Sequence, residues 1–448
     1  MRIRYRLGPV FAAAVMVASV TASAAPTFAD GGQSPPSGPA VVQLAYSPQG
    51  PVLVTGAGAR AGAGLALYEF SGDAFPAPEP PAAVLQFNCT ASNTTTRFTT
   101  GTGGTPCTTP WPPLMATGAL VAGRGVRQDG LSTATAGSGF TPGQVEYFGH
   151  PLYTFIKDTP GTFSGENVGA FGGLFWLVSR NGAPNAGVAK VGTEVSPSGA
   201  ALATTISSGG RTLYMLTFDT PGRSYGSPMP GSGPAVSTCT GECNAVWPPL
   251  LTTGRPMAGP GVDPRLIGEL QRADGTTQVT YAGWPVYLYF ADLAPGAPAG
   301  ETNGQYLLDN MADGVWYEVA PQGGPNPGTA TLADVDGLLA VSSTAFPPQN
   351  PDATVYTLST DTSPGTSTCT GTCAKFWPPV LTTTAPAVTP LTGTALTGTV
   401  GTIQRTDGTF QVTYNSHPLY FFSQDMMSGD GHGANISTPF GTFSVVTP

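Results

Sequence analysis

The chain has 448 residues, a net charge of −9 and 10% charged residues, with lysine only at Lys157, Lys190 and Lys375. It therefore lacks the basic footprint that nucleic-acid binding needs. Apolar residues make up 40%, beside 61 Gly and 46 Pro, which excludes a solvating, disordered composition and points to many short strands joined by Gly/Pro turns.

At the N-terminus Arg2, Arg4 and Arg6 precede an apolar stretch from Leu7 to Val20, and small residues then offer cleavage after Ala24 or Ala29. This is the grammar of a cleaved export signal over residues 1–29; an uncleaved membrane anchor is the alternative. No Cys stands near the cleavage positions to carry a lipid. No later segment offers about 20 consecutive apolar residues, so no membrane span is expected after signal cleavage. The protein is expected outside the cytoplasm: extracellular, periplasmic or cell-wall associated.

Beyond the signal the chain repeats itself. Cys107-x3-Trp111-Pro-Pro, Cys243-x3-Trp247-Pro-Pro and Cys373-x3-Trp377-Pro-Pro correspond, and the strand-like segments opening at Gln144, Gln278 and Gln411 follow each Trp by 33, 31 and 34 residues. His150-Pro-Leu-Tyr153, Trp284-Pro-Val-Tyr287 and His417-Pro-Leu-Tyr420 come next, and each copy closes on a Gly-led segment, at Gly173, Gly314 and Gly441. Three tandem modules are expected, at 40–180, 187–321 and 330–448, with Gly/Pro-rich joints near Asn181–Ala186 and Gln322–Thr329. A second repeat lies inside the first. Each module holds two Tyr-x4-Asp elements: Tyr68–Asp73 and Tyr153–Asp158, Tyr214–Asp219 and Tyr287–Asp292, Tyr356–Asp361 and Tyr420–Asp425.

The fold class is all-β, each module a small β-meander. In Phe410-Gln-Val412-Thr-Tyr414 apolar and polar residues alternate, as in a half-buried strand. Asp274-Gly275 and Asp407-Gly408 precede such strands and mark hairpin turns. Asn415–Pro418 makes the next turn, and a further strand is expected over Leu419–Ser423. Within a Tyr-x4-Asp element, Tyr and the residue two positions on share a strand face and Asp falls at the strand end, where it can accept bonds from turn N–H groups. A calcium site gathered from the six Asp is the sharper alternative, though one Asp per element is a thin ligand supply. The modules either stand as three separate β-bodies or close as a ring of six half-repeats.

Six Cys in an exported chain favour disulfides, and one pair per repeat favours local pairing: Cys89 with Cys107, Cys239 with Cys243 and Cys369 with Cys373. The first pair is stretched by a 14-residue insertion rich in Thr and Gly. Copper or redox chemistry at these pairs is the alternative. Against it stands the His supply: His150, His417 and His432, with none in the second copy. Trp111, Trp247 and Trp377 are expected to pack on the core edge, with an exposed aromatic–proline strip for sugar or another chain as the alternative. No catalytic constellation, metal site, cofactor site or phosphate loop is visible. Arg272-x-Asp274-Gly275 and Arg405-x-Asp407-Gly408 read as charged hairpin turns; the first copy has Ser138 and Phe140 at those places.

These residues resemble the bacterial secreted repeat of unknown function, a group of predicted lipoproteins with a Tyr-x-aromatic-x-x-Asp motif. Cys239, Cys243, Trp247–Pro249, Arg272, Asp274, Tyr287 and Asp292 carry the pattern, as do Cys369, Cys373, Trp377–Pro379, Arg405, Asp407, Tyr420 and Asp425. The first copy departs from it, lacking the compact Cys pair and the Arg-x-Asp-Gly turn. The resemblance implies an architecture and an envelope address but no reaction. The leading expectation is a non-enzymatic binding or structural protein with an extracellular or envelope partner, its repeats adding avidity. A metal or redox role and an envelope hydrolase are the alternatives.

Overall fold

The structure, a computed structural model, describes residues 40–56, 62–73, 89–91, 104–116, 118–135, 140–171, 173–206, 209–224, 231–293, 302–307, 314–342, 352–361, 365–388, 396–425 and 429–448. Residues 1–29, read above as an export signal, and Ser138 lie outside them. In the second repeat, three small sheets form. The first pairs Lys190–Ser196 with Gly199–Ile206 as a hairpin, flanked by Gly209–Thr212 and Met257–Ala258; the second aligns Tyr214–Leu216, Trp316–Val319 and Pro325–Asn326; the third aligns Ile267–Gln271, Thr277–Tyr281 and Trp284–Pro285. The first and third repeats build the same three, around the hairpins Ala40–Ser47/Gly50–Thr55 and Thr331–Val335/Leu338–Ser342.

One feature departs from a pure meander. Met257–Ala258 joins Lys190–Ser196 in parallel, as Leu120–Ala122 joins Ala40–Ser47 and Ala387–Val388 joins Thr331–Val335. A parallel pair needs a long crossover, and here it is the chain that runs through a Tyr-x4-Asp element and the Trp-Pro-Pro segment. That crossover ties the opening hairpin of each repeat to the segment that follows its disulfide.

The hairpin turns form at the Asp-Gly pairs. Asp274 Oδ1 accepts from Thr276 N–H at 2.9 Å, and Asp407 Oδ1 from Thr409 N–H at 3.0 Å, while Gly275 and Gly408 take φ of +83° and +86°, open to glycine. Burial of the following strand differs from simple alternation. Phe410 is exposed, whereas Gln411 and Thr413 are buried with Val412 and Tyr414. The polar face is tolerated because Gln411 is satisfied: its Oε1 accepts from Arg405 at 2.7 Å and its Nε2 donates to Leu419 O at 2.8 Å. The strand expected over Leu419–Ser423 is likewise absent as a ladder. The ladder ends at His417–Pro418, and only a bridge at Tyr420 continues it.

The Gly/Pro-rich joints are part of the sheets. Pro184–Asn185 pairs with Gly173–Val178, and Pro325–Asn326 with Trp316–Val319. Just after them, Thr253 N–H donates to Gly187 O and Thr383 N–H to Gly328 O, each at 2.8 Å, pinning the start of the second and third repeats to the segment that follows their own Trp-Pro-Pro. The apolar interior follows the same plan. One contiguous cluster takes in Leu174 and Trp176 from the first repeat, Val286 and Tyr317 from the second, and Leu381 and Val412 from the third. Residues Pro36–Pro448 form one compact unit. Among the described residues no helix is long and apolar enough to cross a membrane.

Candidate functional site

Within each repeat the two Tyr-x4-Asp elements are brought side by side. Their tyrosines exchange both backbone hydrogen bonds, at 2.9 Å each, in the pairs Tyr68–Tyr153, Tyr214–Tyr287 and Tyr356–Tyr420. Because the bridge is antiparallel, each tyrosine reaches the aspartate of the opposite element. Tyr68 Oη donates to Asp158 Oδ2 at 2.6 Å and Tyr153 Oη to Asp73 Oδ2 at 2.9 Å. Tyr214 Oη donates to Asp292 Oδ2 at 2.6 Å and Tyr287 Oη to Asp219 Oδ2 at 2.7 Å. In the third repeat Tyr356 Oη donates to Asp425, and Tyr420 Oη donates to Asp361 Oδ2 at 2.6 Å. The signature is a reciprocal latch, two hydroxyl–carboxylate bonds around a local two-fold.

The second oxygen of each aspartate is also engaged. Oδ1 accepts from the backbone N–H of Cys89, Ser164, Thr238, Asn303, Thr368 and His432, at Asp73, Asp158, Asp219, Asp292, Asp361 and Asp425 in turn, over 2.7–3.3 Å. Each carboxylate therefore ties the opposite element to the loop that follows its own. Burial pushes Asp73 and Asp292 up to about 7 and Asp219 up to about 6, offset in part by these hydrogen bonds. Burial likewise raises Asp425 and lifts Tyr214 and Tyr287 well above the usual phenol range.

The Trp of each repeat lies between two other rings. Trp247 stacks on Trp316 at 3.7 Å and lies against Tyr289 at 4.3 Å; Trp111 has Phe175 at 3.6 Å and Phe155 at 4.3 Å; Trp377 has Phe443 at 3.7 Å and Phe422 at 4.4 Å. One partner is the aromatic two positions after the second latch tyrosine; the other comes from the Gly-led closing strand. The first latch tyrosine meets each Trp edge-on, at 5.3–5.5 Å. All three indoles are buried and have no free face.

A glycine completes the cluster. The N–H groups of Gly165, Gly304 and Gly433 donate to Tyr68, Tyr214 and Tyr356 Oη at 3.1, 3.3 and 3.2 Å. A Cβ on any of them would lie 2.7–2.8 Å from the Trp Cη2. These glycines were not singled out in the sequence because the loops before them differ: each follows its Asp by 7, 12 and 8 residues. The usable signal is Gly-x-(Asn/Tyr)-apolar, since Asn167, Tyr306 and Asn435 two positions on all adopt positive φ. Gly304→Ala is expected to destabilise the protein by about 1–3 kcal/mol, the cost of overpacking a filled core, as measured by denaturant unfolding.

The disulfides are Cys89–Cys107, Cys239–Cys243 and Cys369–Cys373, with Cα–Cα distances of 5.2–5.3 Å, and no described cysteine is free. In each tight pair the second cysteine lies in a single helical turn, Glu242–Val246 or Thr372–Phe376, which ends on the Trp, and the first cysteine ties the preceding segment to it. Spacing alone did not reveal these turns, because a five-residue helix has no periodicity to read. Thiol titration of the unfolded protein is expected to find no reactive thiol before reduction and six after it.

Arg272 and Arg405 do more than charge a hairpin. Both are buried. Arg272 donates to Ser237 Oγ, Gln278 Oε1, Cys239 O and Asn244 Oδ1 at 2.6–3.0 Å, and its Nε faces Asp274 at 3.4 Å. Ser237 Oγ, 2.7 Å from Tyr287 Oη, donates to it, so the guanidinium braces one latch and the disulfide turn together. Arg405 repeats this with Ser367, Gln411 and Cys369 O. In the first repeat Arg127 instead pairs with Asp129 on the surface. Among the described residues no three His, Cys, Asp or Glu side chains form a set able to hold a metal ion.

The family described as "Secreted repeat of unknown function" matches residues 133–178, 269–307 and 401–439. Each matched segment contains the second Tyr-x4-Asp element of a repeat; the first element lies upstream and latches onto it. No curated protein matches the chain, and no solved structure does. Three segments of the chain, one in each repeat, thus match the secreted repeat of unknown function.

Proposed function

We propose that the protein is a non-enzymatic scaffold and binding protein of the cell envelope or extracellular space, exported by the signal at residues 1–29. The observation that carries this reading is the use made of the signature. All six tyrosine hydroxyls and all six carboxylates are spent on one another and on loop N–H groups. The residues that define the repeat therefore hold its shape, and binding falls to the surfaces the repeats present. Tandem presentation multiplies weak contacts to a repetitive target such as a cell wall. Fractionation tests the address: the protein should leave cells in the medium or in a salt wash, without detergent. Cosedimentation of the full chain with purified cell walls tests binding. A chain that stays in the supernatant at low and physiological salt overturns the binding role, and release of soluble wall fragments overturns the non-enzymatic one.

A further inference from the structure

The joint between the first and second repeats differs from the joint between the second and third. In the second repeat Met215, Trp284 and Tyr317 are buried and lie in the same apolar cluster as Leu381 of the third. The corresponding residues of the first repeat are Glu69, His150 and Trp176, and Leu381 corresponds to Leu251. Where one joint is packed with Met and Trp, the other carries an acid and an imidazole. There the structure has a cleft of about 360 Å³, lined by Glu69, His150 and Trp176 from the first repeat and by Leu251 and Asp274 from the second. That volume suits a small molecule.

The cleft is lined by Glu69, Asp73 and Asp274, with Arg272 behind its wall pairing with Asp274 at 3.4 Å and leaving Glu69 and Asp73 as the acids without a cationic partner in the lining. Glu69 is 4% exposed, and neither of its oxygens accepts a hydrogen bond. His150 Nδ1 stands 3.4 Å from Oε2. A buried acid without a hydrogen-bond donor is costly, and burial together with Asp73, Glu166 and Asp274 holds this carboxyl well above the usual range. A cation entering the cleft would relieve that cost. Phe70, Phe148 and Trp176 add aromatic surface to the same walls, which suits an organic cation with an apolar body. A metal ion is the poorer fit, since among the described residues no three ligating side chains converge there.

We infer that the cleft between the first and second repeats is a binding site for a small organic ammonium ion, held by the carboxylates of Glu69 and Asp73 against the rings of Phe70, Phe148 and Trp176. This does not rest on the scaffold role: cell-wall cosedimentation can fail while the cleft binds its cation, and the reverse.

Calorimetric titration of the full chain with benzylammonium, and separately with neutral benzyl alcohol, tests the site. Benzylammonium is expected to bind at least about 10-fold tighter than the alcohol, the scale of one desolvated charge contact. Glu69→Gln keeps the shape and should weaken benzylammonium at least about 10-fold with the melting temperature unchanged or raised. The paired change Glu69→Met with His150→Trp installs the residues of the packed joint; it should abolish binding of both probes and leave the protein folded by circular dichroism. Equal affinity for the two probes, no binding of benzylammonium, or full affinity in the Glu69→Gln variant would each overturn the assignment.

Discussion

Replacing Tyr214 and Tyr287 together by Phe is expected to destabilise the protein by about 3–5 kcal/mol, the largest effect of any change that removes two atoms. Each hydroxyl donates to a buried carboxylate, Asp292 and Asp219, at 2.6 and 2.7 Å. A hydrogen bond to a charged or chargeable acceptor contributes about 1.5–3 kcal/mol, and deleting the donor leaves that acceptor buried and unsatisfied. Tyr214→Phe also strips the acceptor from Gly304 N–H, and Tyr287→Phe strips the acceptor from the hydroxyl of Ser237, which Arg272 holds. Packing is retained because the ring remains against Trp247 or Trp316. Urea unfolding of the singles, the double and Tyr214→Phe with Asp292→Asn gives the coupling energy directly. A loss below about 1 kcal/mol for the double variant would mean that the backbone bridge closes the repeat without its hydroxyls.

The latch explains what could and could not be read from the residues. Six Tyr-x4-Asp elements were visible because their spacing is constant, and spacing also separated the three copies. Which Tyr meets which Asp was not visible, since the pairing depends on an antiparallel bridge between elements 85, 73 and 64 residues apart. A turn-capping Asp is a local reading, and it describes one carboxylate oxygen. The other oxygen answers to a partner that only the topology supplies. The polar face of Phe410–Tyr414 failed for a related reason: alternation assumes that the polar side meets water, and here Arg405 replaces water as the partner of Gln411. The parallel strand pairs were likewise hidden, because two-residue segments such as Met257–Ala258 are too short to show a period. Disulfide pairing was legible because it is local. The joints were legible as boundaries in composition but not as strands, since Gly and Pro ordinarily mark where pairing stops.

Stability is expected to fall as pH rises from about 4.5 to 8, the reverse of the usual behaviour of paired carboxylates. The sign follows from the direction of the shifts. Asp219, Asp73 and Asp292 are held at about 6, 7 and 7 in the folded protein, against 3.8 in the open chain, and burial is the leading cause in each case. Glu318 and Glu166 are held at about 7 and 8, against 4.5, again by burial. Between the two sets of values the folded state binds more protons than the unfolded one, so stability falls with rising pH throughout that window. The contribution is fully present below about pH 4 and gone above about pH 8. Hydrogen bonds from Tyr and loop N–H groups already temper these shifts, and a net loss of at least about 3 kcal/mol across the window is expected. Guanidinium unfolding at pH 4.5, 6 and 8 measures it. Asp292→Asn should flatten the profile: the amide can still accept from Tyr214, carries no charge to bury, and so costs stability at pH 4.5 while costing little or none at pH 8. A wild-type protein that gains stability from pH 4.5 to 8 would show that these carboxylates ionise readily inside the fold, and the latches would then be ion-stabilised turns rather than dry hydrogen-bonded locks.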